Sequence, residues 1–221
     1  MYAYAYVHEN YVLLDAGSAL GFGVGPLLIC KNQSFLETEL KNDLRIGIPG
    51  KYTTANFLLG IAYPHLTDKQ EMVFSEIESA LQQERIDLGL IIHENRFTYA
   101  DKGLHKIVDL GNYWENLTGC AIPLGGIVIN RSLDAETQHK VNRVLKKSVE
   151  FAFQNPKSGL DFIKQHAQEM SEQVMYKHID LYVNEYSVNL GIEGRRAIAV
   201  LFNMAQEKGL VPTLKKNIFL D

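Results

Sequence analysis

Apolar and polar positions follow two regimes along this chain. Up to about residue 130, short apolar runs end at glycine, proline or clusters of charge; beyond it, apolar residues recur at helical spacing over long stretches. Tyr11-Val12-Leu13-Leu14 and Gly25-Pro26-Leu27-Leu28-Ile29-Cys30 read as strands flanking a glycine-rich connection, and Leu44–Pro49 as another strand, stopped by Pro49-Gly50. Thr53 or Thr54 can then cap a helix through Ala55–Leu59. Val73, Ile77 and Leu81 give a helix over Glu71–Glu84 one buried stripe. The run Leu88-Gly89-Leu90-Ile91-Ile92 reads as a buried strand that ends in His93-Glu94-Asn95-Arg96. Tyr2, Tyr4 and Tyr6 alternate as one face of a half-buried strand would. Strand–helix–strand alternation of this kind predicts βαβ units and a largely parallel sheet, the α/β class.

After Pro123–Asn130 the pattern turns helical. The expected helices cover Asp134–Gln154, about Gly159–Glu169, a stretch capped by Ser171 and running through Tyr182, and Glu193–Lys208 with Gly209 as its stop. The strands Gly25–Cys30 and Gly126–Asn130 bracket the central βαβ section. If both are crossovers, the chain forms two discontinuous lobes, 1–30 with 125–221 and 31–124, with a small-molecule cleft between them.

Composition narrows the function. The 221 residues carry a net charge of −4 and no basic block, which gives no basis for a nucleic-acid partner. No apolar run is long enough to span a bilayer, and the start has no basic region followed by an apolar stretch, so no secretory signal is read. Cys30 and Cys120 fit no metal-ligand spacing and read as buried free thiols of a reducing cytoplasm. The histidines show no zinc-site spacing, so no metal is expected.

Three stretches could carry chemistry. Gly21-Phe22-Gly23-Val24-Gly25-Pro26 superficially resembles a dinucleotide loop, but a proline and an apolar strand follow where a helix should begin. Its glycines are better read as permitting tight turning and close backbone approach. Pro49–Ala55 joins a strand to a helix start through a glycine turn, an arrangement suited to a carboxylate or phosphate and equally to an ordinary capped helix. His93, at a strand's carboxyl end, stands where a proton-transferring group is useful, or where a histidine simply bonds backbone. Trp114 reads as core, and Lys146-Lys147 and Arg195-Arg196 as solvated helix faces.

Taken together, the segments Ala19–Pro26, Ile48–Leu59, Ile91–Tyr99, Val108–Glu115, Pro123–Gly126 and Tyr182–Asn184 resemble, in order, the 1,4-dihydroxy-6-naphthoate synthase family of the futalosine route to menaquinone. The resemblance implies a two-lobed, periplasmic-binding-protein-like (type II) fold and a cytoplasmic carbon–carbon lyase that needs no cofactor. The family reaction converts cyclic dehypoxanthinylfutalosine, a small carboxylate-bearing substrate, to 1,4-dihydroxy-6-naphthoate and dihydroxyacetone. By the same resemblance His93 is the general base, Thr53, Thr54 and Ala55 contact substrate, and Glu94 and Arg96 orient the base or the substrate. Family members usually begin with a strand bearing a Ser-Pro-Cys-Pro-Asn-Asp-like segment and carry a Lys-Leu-Ser-like contact before the point matching Met1. Neither occurs here, so the first lobe is expected to be incomplete at its N-terminus. A solute-binding protein of the same fold and the related chorismate dehydratase remain alternatives, although His93–Tyr99 favours the naphthoate synthase.

Overall fold

The computed structural model describes residues 1–92, 95–167 and 171–221. In chain order the elements are β1 (Tyr11–Leu13), β2 (Ala19–Gly21), β3 (Leu27–Cys30), β4 (Ile46–Ile48), α1 (Thr54–Ala62), β5 (Lys69–Glu71), α2 (Ile77–Gln82), β6 (Leu88–Ile91), α3 (Asn95–Thr98), β7 (His105–Asp109) and α4 (Leu110–Thr118). There follow β8 (Ile122–Gly125), β9 (Val128–Asn130), α5 (Ala135–Gln154), α6 (Leu160–His166), α7 (Glu172–Tyr182), α8 (Glu185–Val188) and α9 (Gly191–Glu207). They divide into two compact units: Met1, Ala3–Gly21 and Pro123–Asp221 form one, and Tyr2 with Phe22–Ile122 the other.

The second unit is built on a five-stranded sheet ordered β5-β4-β6-β3-β7. Strand β4 runs parallel to β5 and β6, whereas β3 runs antiparallel to both β6 and β7. All strands except β3 therefore point the same way, and the ends of β4, β6 and β7 share one edge. Leu27, the first residue of β3, is in register with both Ile91 and Asp109, the last residues of β6 and β7. Helix α2 covers one face, where Ile77, Ala80 and Leu81 join Leu27, Ile29, Ile86, Ile91 and Leu104 in a closed apolar cluster. Each leucine and isoleucine there contributes roughly 1.5–3 kcal/mol by leaving water.

In the first unit, β1 pairs antiparallel with β9, and Leu13 bridges to Phe219 near the C-terminus. Val12, Leu14, Ile129 and Leu220 pack there, with Leu145 of α5 laid against them. Asp134 caps α5 by accepting from the Thr137 amide at 2.8 Å, and Gly209, at φ 66°, ends the last helix as expected. Asn184 caps α8 while its Nδ2 donates to the Leu20 carbonyl at 2.8 Å, so this motif residue joins α8 to β2.

Five expectations change. The chain leaves the first unit between Gly21 and Phe22, not after residue 30, because Leu27–Cys30 hydrogen-bonds on both sides as an inner strand of the second unit. Its return falls between Ile122 and Pro123, two residues before the expected boundary. The helix expected from Glu71 begins only at Ile77, since Lys69–Glu71 is taken up by pairing with β4, and it stops before Glu84, whose φ is 59°. Tyr2–Tyr6 is a 3-10 turn, with Tyr4 N–H donating to Met1 O; Tyr4 and Ala5 are both buried and Tyr6 is exposed, which is no strand alternation. Arg195 is not simply solvated: it forks onto Asp15 at 2.8 and 2.7 Å and also donates to the Leu220 carbonyl.

The start of the sheet carries one acid-sensitive link. Arg45 and Asp87, just before β4 and β6, form a forked pair at 3.0 and 2.9 Å, and the Arg45 amide also donates to Asp87. The guanidinium hydrogen bonds hold the Asp87 carboxyl below its ordinary value against the opposing effect of burial. A folded-state pKa below the unfolded one means the pair stabilises the fold above the unfolded value, about 3.9, and stops doing so as pH falls through the folded value. Urea unfolding at pH 6 and pH 3 should show a smaller acid loss in Asp87→Asn than in the parent; equal losses would exclude this pair as a source of acid sensitivity.

Candidate functional site

The shared carboxyl edge of β4, β6 and β7 gathers the polar residues singled out from the sequence. After Ile48, the chain turns at Pro49-Gly50 and enters α1 with Thr53 as its N-cap. The Thr53 hydroxyl donates to the Gly50 carbonyl at 2.8 Å and accepts from the Asn56 amide at 3.2 Å. Its one proton is thereby committed, so towards a ligand this oxygen can only accept. The turn is held from two further sides: the Lys51 amide donates to Glu71 at 2.8 Å, and Asn56 Nδ2 donates to the Lys51 carbonyl at 2.8 Å. Asn56 Oδ1 is buried with no hydrogen-bond partner among the described residues. Thr54 and Ala55 are buried in the first turn of α1, where an amide at the second helical position has no acceptor within the helix.

On the neighbouring strand, β6 ends at Ile91 and α3 begins at Asn95. His93 and Glu94, the expected base and its neighbour, lie outside the described residues. Arg96 is described, and its side chain is only 12% exposed. Its Nη2 donates to Asp109 Oδ2 at 3.3 Å, while Nη1 is buried without a partner among the described residues. A buried donor lacking an acceptor is costly, and such groups call for a water, an ion or a ligand.

Asp109 closes β7 and caps α4, its Oδ1 accepting from the Gly111 amide at 2.8 Å and the Asn112 amide at 3.1 Å. That helix end is pressed against the glycine-rich segment. A Cβ on Gly25 would lie 2.2 Å from Gly111 Cα, so backbone meets backbone there, and Gly23 N–H donates to Glu115 at 2.7 Å. Gly25 serves close approach, and Gly23, at φ 68° with open space around it, serves the turn. Trp114 is fully buried and its indole N–H donates to the Ala121 carbonyl at 3.2 Å, a core role.

Thr53, Thr54, Ala55 and Arg96 therefore all follow strand ends on one edge of one sheet. Asp109 and Asn56 were not singled out. The signal for Asp109 was present, an aspartate before Leu-Gly-Asn at a helix start, but its second link to Arg96 is tertiary. Cys30 and Cys120 are buried and unpaired. No group of three or more His, Cys, Asp or Glu able to hold a metal ion occurs among the described residues, and no helix among them is long and apolar enough to cross a membrane.

Solved structures share the fold. A protein from Archaeoglobus fulgidus superposes with a TM-score of 0.85 at 34% identity, over 95% of this chain and 77% of that one. The ligand-binding component of an ABC-type import system from Staphylococcus aureus gives 0.63 at 16% identity, over 96% and 72%. The periplasmic aliphatic sulphonate binding protein of Escherichia coli gives 0.62 at 14% identity, over 99% and 71%. The two low identities bear on fold alone, which is the α/β fold of periplasmic solute-binding proteins, of type II.

Among curated proteins, 1,4-dihydroxy-6-naphthoate synthase of Thermus thermophilus is 39% identical over 218 residues, covering 99% of this chain and 78% of the relative. The enzyme of the same name from Streptomyces coelicolor is 38% identical over 217 residues, covering 95% and 74%. A family model described as menaquinone biosynthesis matches residues 1–207. The chain belongs to the menaquinone biosynthesis family.

Proposed function

We propose that this chain is a lyase of menaquinone biosynthesis that forms 1,4-dihydroxy-6-naphthoate, releasing dihydroxyacetone from cyclic dehypoxanthinylfutalosine in the cytoplasm. The observation that carries the reading is the identity of 38–39% to two synthases of that name, spread over nearly the whole chain. The buried free thiols accord with a reducing compartment.

The chemistry requires three things of the protein. A base must take a hydroxyl proton, so that the O–H electron pair becomes a carbonyl as the adjacent carbon–carbon bond breaks; His93 has that role. Aromatisation of the departing ring system supplies driving force. The substrate's carboxylate must also be held away from water, which suits the guanidinium of Arg96 together with the amide of Ala55 at the positive end of α1. Thr53 and Asn56 Oδ1 are acceptors, fitted to substrate hydroxyls rather than to an anion. Thr54 shapes the same turn, and Glu94 keeps the orienting role that the family resemblance gives it.

Incubating the purified chain with cyclic dehypoxanthinylfutalosine and separating products by chromatography tests the reading. Stoichiometric 1,4-dihydroxy-6-naphthoate and dihydroxyacetone is the expected result. Binding of the substrate with no product would mark the chain as a solute binder and overturn the lyase assignment.

A further inference from the structure

We propose that Asp109 is a positioning residue of this site: it clamps Arg96 through one carboxylate oxygen, leaving guanidinium Nη1 for the carboxylate of an aromatic acid. The inference rests on the lyase reading and extends it to a residue outside the reacting groups.

The argument is one of rigidity passed along a short path. Gly25 and Gly111 touch backbone to backbone, so the first turn of α4 has no room to slide. That turn holds Asp109 Oδ1 through two amides, at 2.8 and 3.1 Å. Oδ2 then accepts from one side chain among the described residues, Arg96 through Nη2, at 3.3 Å. Both side chains are 12% exposed, so water screens the pair little. A guanidinium held by one nitrogen keeps a defined plane, and the second nitrogen presents donors along that plane. Nη1 has no acceptor among the described residues, while the product of the named relatives is a naphthalene bearing one carboxylate. A planar carboxylate is the ligand that a planar fork recognises best.

Asparagine is as good an N-cap as aspartate, because its amide oxygen still accepts from the helix amides. Asp109→Asn therefore keeps α4 capped and removes only the charge facing Arg96. Removing one charge of a buried pair costs stability even with the helix capped, so its thermal midpoint should fall by several degrees, and binding is read well below that midpoint, where the variant stays folded. Affinity for 1,4-dihydroxy-6-naphthoate, read by fluorescence titration, should fall about tenfold or more, with KM rising in parallel, as for loss of a charge-assisted contact. The decisive comparison is 1,4-dihydroxynaphthalene, which lacks the carboxylate. It should bind the parent and Asp109→Asn equally, and Arg96→Met should show the same selective loss, not deepened in the double variant.

Equal losses for both ligands, or none for the naphthoate, would overturn the positioning role. A parent chain that forms and binds no naphthoate overturns the lyase reading, and this one with it. A parent that does both, beside an unaltered Asp109→Asn, overturns this one alone.

Discussion

Replacing His93 by alanine is expected to lower kcat by roughly 10²- to 10⁴-fold, the range a positioned general base contributes. Substrate affinity should change little, because the carboxylate and hydroxyl contacts assigned to Arg96, Ala55, Thr53 and Asn56 are made by other elements. The split matters: a group that acts only on the proton in flight lowers kcat and kcat/KM together and leaves binding intact. A neutral imidazole is the active form of a general base, so parent kcat should decline as the pH is lowered. That acid limb should be absent from the residual activity of His93→Ala. Single-turnover chromatography over pH 5–9 measures both effects. If the variant keeps kcat within a factor of about three, far less than a general base supplies, the proton is taken by another group.

Gly25→Ala is expected to lower the thermal midpoint by roughly 5–10 °C. The new methyl carbon would stand 2.2 Å from Gly111 Cα and 2.5 Å from Gly111 N, both backbone atoms that no rotamer change can move away. Forcing atoms into a closed contact costs ~1–3 kcal/mol or more, and 2–4 °C of midpoint accompanies each kcal/mol in a chain of this size. The shift must come from β3 and α4 parting, which also drags the Gly111 amide from Asp109 and loosens Arg96, so activity should fall with stability. Gly111→Ala should behave alike, and the double variant should cost less than the two added, since both disrupt one contact. Gly125→Ala is the control, because its methyl meets nothing within 4 Å. Circular dichroism melts of the four variants decide the matter; a Gly25→Ala midpoint matching that of Gly125→Ala would mean the close approach is not made in solution.

Much of this site was legible one residue at a time. Glycine at 25 implied a backbone contact but could not say with what, since the partner lies 86 positions later in sequence at Gly111. A cap at Thr53 or Thr54 was legible; that it is Thr53, and that its hydroxyl is also committed to Gly50 and so removed as an anion donor, depends on the turn geometry. Arg96 was read as orienting the base or the substrate. The carboxylate it bonds, Asp109, comes from another strand, and pairing across a sheet is not a local property. The tyrosine alternation misled because a strand pattern needs a sheet edge to pair with, and a short 3-10 turn can bury Tyr4 and Ala5 without one.

Sequence by itself determined the α/β class, the order of most elements and their caps, because periodicity and capping are short-range physics: burial of one stripe, satisfaction of the first few amides. Order-dependent motif resemblance along the chain also indicated the family, and the comparisons bear it out. Tertiary structure alone decided that β3 is an inner strand and not a crossover, that the carboxyl ends of β4, β6 and β7 align at one edge, and that Asp109 ties a helix end to a guanidinium. Those outcomes turn on which strand finds which neighbour, a choice set by burial and hydrogen bonding summed over distant segments, and no window of residues contains it.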